Sequence, residues 1–115
     1  MLMPLMAEHA APGWAFLTSH ARVLVCIARD PRVRLRDIGD RVGITERAAY
    51  RIVADLADAG YITRQRTGRR NQYTINAHLP LPDMIAREQN VGQLIEILTA
   101  THAPDRRVDR TGTRG

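Results

Sequence analysis

The interval Gly43-Ile44-Thr45 constrains this chain more than any other feature, because periodic apolar stripes stand immediately on both sides of it. Before it, Leu35, Ile38 and Val42 recur at helical spacing. After it, Ala49, Ile52, Val53 and Leu56 do the same, while Arg47, Tyr50, Arg51 and Ala54 fall on the opposite side. Thr45 is an N-cap residue whose hydroxyl can accept from an early backbone N–H, and Gly60 is a C-terminal stop, so the second helix is bounded at about 46–59. A three-residue turn forces two helices to cross steeply, which is the geometry of a helix-turn-helix.

A hairpin follows directly. Tyr61, Thr63 and Gln65 alternate with Ile62, Arg64 and Arg66, and the returning run Gln72-Tyr73-Thr74-Ile75 is β-branched and aromatic. Thr67-Gly68-Arg69-Arg70-Asn71 is expected as the tip, and Val33-Arg34-Leu35 as a short strand pairing with this wing. Residues 61–75 hold four arginines and no acid, the steepest positive patch in the chain. Taken alone, such a hairpin is a solvated polar surface. After a helix-turn-helix, its guanidinium groups are placed to meet phosphates or a minor groove. The expected fold is mainly α with a small β-hairpin (α+β): a winged helix-turn-helix with a C-terminal helix for dimerisation.

The flanks complete a single domain. Thr18 or Ser19 caps a first helix carrying Val23, Leu24, Ile27 and Ala28, which Asp30-Pro31 ends. Trp14, Phe16 and Leu17 precede it and are too apolar for water; the domain, a partner subunit or a ligand would cover them. Beyond the wing, a proline-containing loop and one turn at 83–87 lead to a closing helix. Asn90 and Gln93 have capping-box spacing there, and Val91, Leu94, Ile95 and Leu98, widened by Ile97, form one face. A small core cannot cover so apolar a helix, so pairing across a two-fold axis is expected, with packing on its own domain as the alternative. The chain thus divides into a flexible leader (1–13), a winged helix-turn-helix (14–76), a linker with the dimerisation helix (77–100) and a disordered tail (101–115).

Through GITERAAYRIVADLADAGYITRQRTGRRNQYTI, residues 20–76 resemble the DNA-binding domain of MarR- and ArsR-type bacterial regulators; Ala59-Gly60-Tyr61-Ile62 ahead of a basic hairpin is the most specific part. The resemblance implies a homodimeric transcription factor, usually a repressor, whose paired recognition helices enter successive major grooves. It assigns Thr45, Glu46, Arg47, Tyr50 and Arg51 to the DNA-facing side of the helix, and Arg66, Arg69 and Arg70, with Arg64 beside them, to the wing. The dimer would use Trp14, Leu17, Val91, Leu94, Ile95 and Leu98. The chain is shorter than a typical MarR protein and lacks the cysteine-rich motif of metal-sensing ArsR members.

Groove chemistry divides the labour. Arg47 and Arg51 lie one helical turn apart, and each can bond guanine O6 and N7 in a bidentate manner. Tyr50 can reach a thymine methyl or a phosphate. Glu46 either accepts from cytosine or favours the helix dipole. The wing mainly holds phosphates, which fixes register without reading sequence.

All seventeen basic residues are arginine and the formal charge is +5, which suits a polyanion partner such as double-stranded DNA. Catalysis is not expected. The histidines His9, His20, His78 and His102 are scattered, and no phosphate loop, nucleophile elbow or carboxylate cluster is present. Asp37 and Asp40 are expected to pair with Arg36 and Arg41 or to solvate the surface. No cofactor and no metal is expected. Cys26, the single cysteine, is expected to be a buried inert thiol in a reducing cytoplasm. No signal or membrane span is expected at the N-terminus. Room remains for an unidentified small-molecule effector between the Trp14 cluster, the first helix and the closing helix. The competing reading is a winged-helix module that docks protein or RNA without operator specificity.

Overall fold

The computed structural model describes residues 12–100; the expected tail, most of the expected leader, His9 and His102 lie outside them. The elements are α1 Ser19–Arg29, α2 Leu35–Val42, α3 Glu46–Asp58, β1 Ile62–Thr67, β2 Arg70–Ile75, a 3-10 turn Met84–Ala86, and α4 Val91–Thr99. Among the described residues no helix is long and apolar enough to cross a membrane.

Caps set the helix boundaries. Thr18 Oγ1 accepts from Ala21 N at 3.1 Å, and Thr45 Oγ1 from Ala48 N at 3.0 Å. Gly43 ends α2 in the left-handed region at φ 85°, and both Gly43 N and Ile44 N donate to Gly39 O. That reversal brings the turn onto α2: a Cβ at Gly39 would lie 2.7 Å from Ile44 O. Glycine at 39 is therefore what lets α3 start so close to α2.

The stripes meet as their spacing implies. Val23, Leu24 and Ile27 of α1, Ile38 of α2, and Ala49, Ile52, Val53 and Leu56 of α3 form one buried cluster. Ile62 and Tyr73 close it from the hairpin, and Val91 closes it from α4. Leu35, Val42 and Ile44 pack half-buried at its edge. Cys26 is also buried there. Each Val, Leu or Ile fully buried in this cluster contributes about 1.5–3 kcal/mol through area removed from water.

The hairpin is antiparallel, with Ile62 opposite Ile75 and Thr67 opposite Arg70. Its turn is therefore just Gly68-Arg69, with Gly68 at φ 65°, shorter than the five-residue tip expected from sequence. The strand expected at Val33-Arg34-Leu35 does not form; the sheet of the described residues has two strands. Asp30 to Val33 closes a turn (Val33 N to Asp30 O, 3.0 Å) and α2 opens at Leu35, so no extended run is left to pair. The wing instead meets this loop through one main-chain bond, Tyr73 N to Pro31 O at 2.9 Å.

Of the two readings of Asp37 and Asp40, solvation of the surface stands: Asp40 is exposed, Asp37 half-buried, and neither is ion-paired among the described residues. Arg36–Asp40 and Asp37–Arg41 have the i, i+4 spacing that lets side chains meet on a helix, yet neither pair closes. Arg41 lies 3.8 Å from Asp30 instead, and His20 Nε2 stands 2.8 Å from Asp55 Oδ2, tying α1 to α3.

After β2 the chain is stitched back to the domain. Tyr61 Oη donates to Pro80 O at 2.9 Å, Val91 N to Leu79 O at 2.9 Å, and Gly92 N to Ala77 O at 2.8 Å. Here α4 begins with a complete capping box: Gln93 N donates to Asn90 Oδ1, and Asn90 N to Gln93 Oε1, both at 2.8 Å. Its inner edge packs on α1 of its own chain, where Arg29 Nη2 donates to Leu98 O at 3.1 Å. Ile97 on the outer edge stays 74% exposed. Replacing Asn90 by Ala removes the cap, and we expect a loss of about 1 kcal/mol. In calorimetry this reads as a Tm lower by roughly 4–6 °C; an unchanged Tm would mean that α4 does not depend on this cap.

Candidate nucleic-acid interface

Burial of Ala49, Ile52, Val53 and Leu56 leaves the opposite face of α3 in solvent, and that face carries Arg47, Tyr50 and Arg51. Tyr50 is 56% exposed, unusual for a large aromatic with a whole domain beneath it. Arg47 and Arg51 sit a turn apart on that face with no ion-pair partner among the described residues. Thr45 has its hydroxyl engaged by Ala48 N, so its role at the helix start is first of all structural. Glu46 occupies the first turn, where the helix dipole favours an acid.

Two hollows adjoin this face. The first, about 400 Å³, is lined by Leu35, Glu46, Arg47 and Tyr50. The second, about 290 Å³, lies between the wing and the starts of α2 and α3; its charged lining is Arg32, Arg34, Arg36, Arg69 and Arg70 against Glu46. Leu35 and Glu46 line both, so the two hollows adjoin, and arginines stand on either side of that junction, from the wing tip to the free face of α3.

The four wing arginines do not behave alike. Arg64 and Arg69 are exposed. Arg66 turns its Nε back to Gly68 O at 3.2 Å, bracing the tip. Arg70 is half-buried, donates from Nη2 to Arg32 O at 2.7 Å, and has its Nε buried without a partner. It therefore anchors the wing to the α1–α2 loop with part of its donor set.

Arg32, Arg34 and Arg36 are the residues that sequence reasoning passed over. Their signal was an Arg at every second position leading into a helix whose N-cap, Arg34, makes no side-chain capping bond. Distance along the chain hid the rest: they meet Arg69 and Arg70 from more than thirty positions away.

The residues expected at a dimer seam are spread differently. Trp14 and Phe16 pack edge to face on each other, 5.1 Å apart, and remain 63% and 90% exposed. Leu17, Leu94, Ile95 and Leu98 are half-buried. Val91 departs from the expectation: at 2% exposure its side chain is committed to the core of its own chain, because the capping box turns it inward beneath α1. A third hollow of about 350 Å³ lies between α1, the end of α2 and α4. Leu17, Val25, Cys26 and Leu98 supply apolar wall, with Arg22, Arg29 and Arg41 at hand. It covers part of the expected effector cleft, without Trp14.

With this geometry established, residues 16–70 are found to match a family model described as the MarR family. These residues, just under half of the chain, are MarR-like in sequence and fold as a winged helix. Curated protein sequences include no match to the chain. Among solved structures, this chain is similar to the MarR family protein Rv2887 of Mycobacterium tuberculosis in complex with salicylic acid. That similarity is 23% identity at a TM-score of 0.45, over 53% of this chain and 48% of that one. The chain thus spans about half the length of that protein. It is also similar to the PcaV transcriptional regulator from Streptomyces coelicolor in complex with its natural ligand, at 18% identity and a TM-score of 0.44, over 89% of this chain and 73% of that one.

Proposed function

We propose that this chain is a cytoplasmic transcriptional regulator of the MarR type, a repressor that occludes a promoter by binding an inverted repeat in double-stranded DNA as a homodimer. One observation carries the reading: the free face of α3 and the arginine-lined hollow under the wing form one continuous surface, joined at Leu35 and Glu46. A helix whose outer face offers Arg47, Tyr50 and Arg51 fits a major groove, where planar guanidinium groups recognise guanine edges. The wing then lies over the neighbouring backbone, with Arg64, Arg66 and Arg69 toward phosphates or the minor groove and Arg70 holding the hairpin in place.

Dimerisation would bury what the single chain leaves open: Trp14 and Phe16 at one end of α1, and the outer edge of α4 around Ile97, with Leu17, Leu94, Ile95 and Leu98 behind them. Two-fold symmetry then places the two α3 helices on half-sites one helical turn apart, or a multiple of it. The hollow of about 350 Å³ beside Cys26 has room for a small-molecule effector.

The deciding measurement is fluorescence anisotropy of the full chain on duplex DNA from upstream of its own gene, against scrambled duplex, over a range of salt. We expect binding that weakens steeply with salt and prefers the upstream fragment by about a thousandfold. Equal, weak binding to both duplexes would remove operator specificity and leave a docking module.

A further inference from the structure

We propose that the hollow between the wing and the start of α2 is a seat for one phosphodiester of the duplex backbone, held by Arg34 and Arg36 with Arg69 and Arg32 beside them. This rests on the DNA-binding reading above and extends it to residues that neither the α3 face nor the wing had supplied.

Groove geometry makes the case. A major and a minor groove that adjoin are separated by one ridge of phosphates. A protein with a helix in the first and a hairpin over the second must straddle that ridge. The hollow occupies that place, sharing Leu35 and Glu46 with the α3 face on one side and bounded by Arg69, Arg70 and Asn71 of the wing on the other.

Charge makes the second case. Five guanidinium groups against one carboxylate line about 290 Å³, an arrangement that repels itself until an anion enters. Arg34 and Arg36 also stand where a helix disfavours cations, at the N-cap and within the first turn of α2. The starts of α1, α3 and α4 carry Thr18, Thr45 and Asn90 as side-chain caps, whereas Arg34 caps nothing. A local choice that works against the helix is accounted for when a ligand uses it, and Arg suits phosphate because its fork bonds two oxygens at once. Arg70, already bonded to Arg32 O with its Nε enclosed, forms the floor of the seat and sets the wing's distance from α2.

The test compares the full chain with single variants Arg34→Gln and Arg36→Gln. Arg87→Gln serves as a control that removes the same charge from the exposed loop ahead of α4. Salt dependence is measured on the preferred and the scrambled duplex, with Tm as a check of folding. We expect each seat variant to lose about 3- to 10-fold in affinity on both duplexes, with the same preference between them, and to reduce the salt slope by roughly 0.9 per subunit. The control should keep its slope and the Tm values should not move. An unchanged slope in both seat variants, or a loss of sequence preference in place of slope, overturns the proposal. Inorganic phosphate that binds at fixed ionic strength without competing with DNA also overturns it, since that marks a free-anion site rather than a backbone seat. If the parent protein shows no preference between duplexes yet the seat variants still lose slope, operator reading fails and the seat stands; if it binds no duplex, both fail.

Discussion

Gly39→Val should collapse the helix-turn-helix. A Cβ at this position already meets Ile44 O at 2.7 Å, Thr45 C at 3.3 Å and Glu46 N at 3.4 Å, all of them backbone atoms that no rotamer change can move aside. Branching at Cβ adds further overlap, so the turn must lift and carry the start of α3 with it. We expect a loss of about 3 kcal/mol, seen as a Tm lower by roughly 10–20 °C, with DNA binding lost in parallel. Gly43 is the informative contrast. It requires a positive φ of 85°, but a Cβ there meets nothing within 4 Å, so Gly43→Asn, which tolerates the left-handed region, should stay folded. Equal Tm values for Gly39→Val and the parent would show that α2 and the turn are not packed as closely as the structure has them.

Arg51→Ala should erase discrimination at one position of each half-site. Its guanidinium projects from the free face of α3 with no ion-pair partner among the described residues, so its removal leaves the core untouched. A bidentate arginine–guanine pair is worth about 1–3 kcal/mol, or roughly 5- to 150-fold between the right and the wrong base at each half-site. Arg69→Ala should behave differently, weakening all duplexes about equally and lowering the salt slope by roughly one contact per subunit. Binding selections on randomised duplexes with the two variants separate these outcomes. An Arg51→Ala protein that retains the parent's full base preference would remove this residue from the reading face.

These two positions mark the limit of what could be read without coordinates. Arg51 was placed on the outer face of its helix by the buried stripe alone, because a period of 3.6 residues assigns every side chain of α3 to one side or the other. Gly39 carried no such signal. A glycine inside a helical pattern reads as a mild defect until the Ile44 carbonyl is seen beside it. The wing shows the same division. Its strands were legible from alternation, but the third strand was not refused by any local rule; the turn at Asp30–Val33 and the early start of α2 removed it. For Asp37 and Asp40 the sequence leaves pairing and solvation open; the structure leaves them to solvent, because Arg41 reaches Asp30 in the loop before the helix.

By itself the sequence determined the order of the helices and of the two wing strands, the caps at Thr45 and Asn90, a first cap at Thr18 or Ser19, the stops at Gly43 and Gly60, and which faces of α1 and α3 are buried. Each of these follows from interactions within about one or two helical turns, which local pattern encodes. Tertiary structure alone decided that Arg32, Arg34 and Arg36 would share a hollow with Arg69 and Arg70, that Arg70 would anchor the wing, and that Val91 would serve its own core. Those outcomes depend on the angle at which the hairpin leaves α3 and on where α4 is stitched back. Both are set by packing among residues far apart in sequence, so no stretch of the chain read alone contains them.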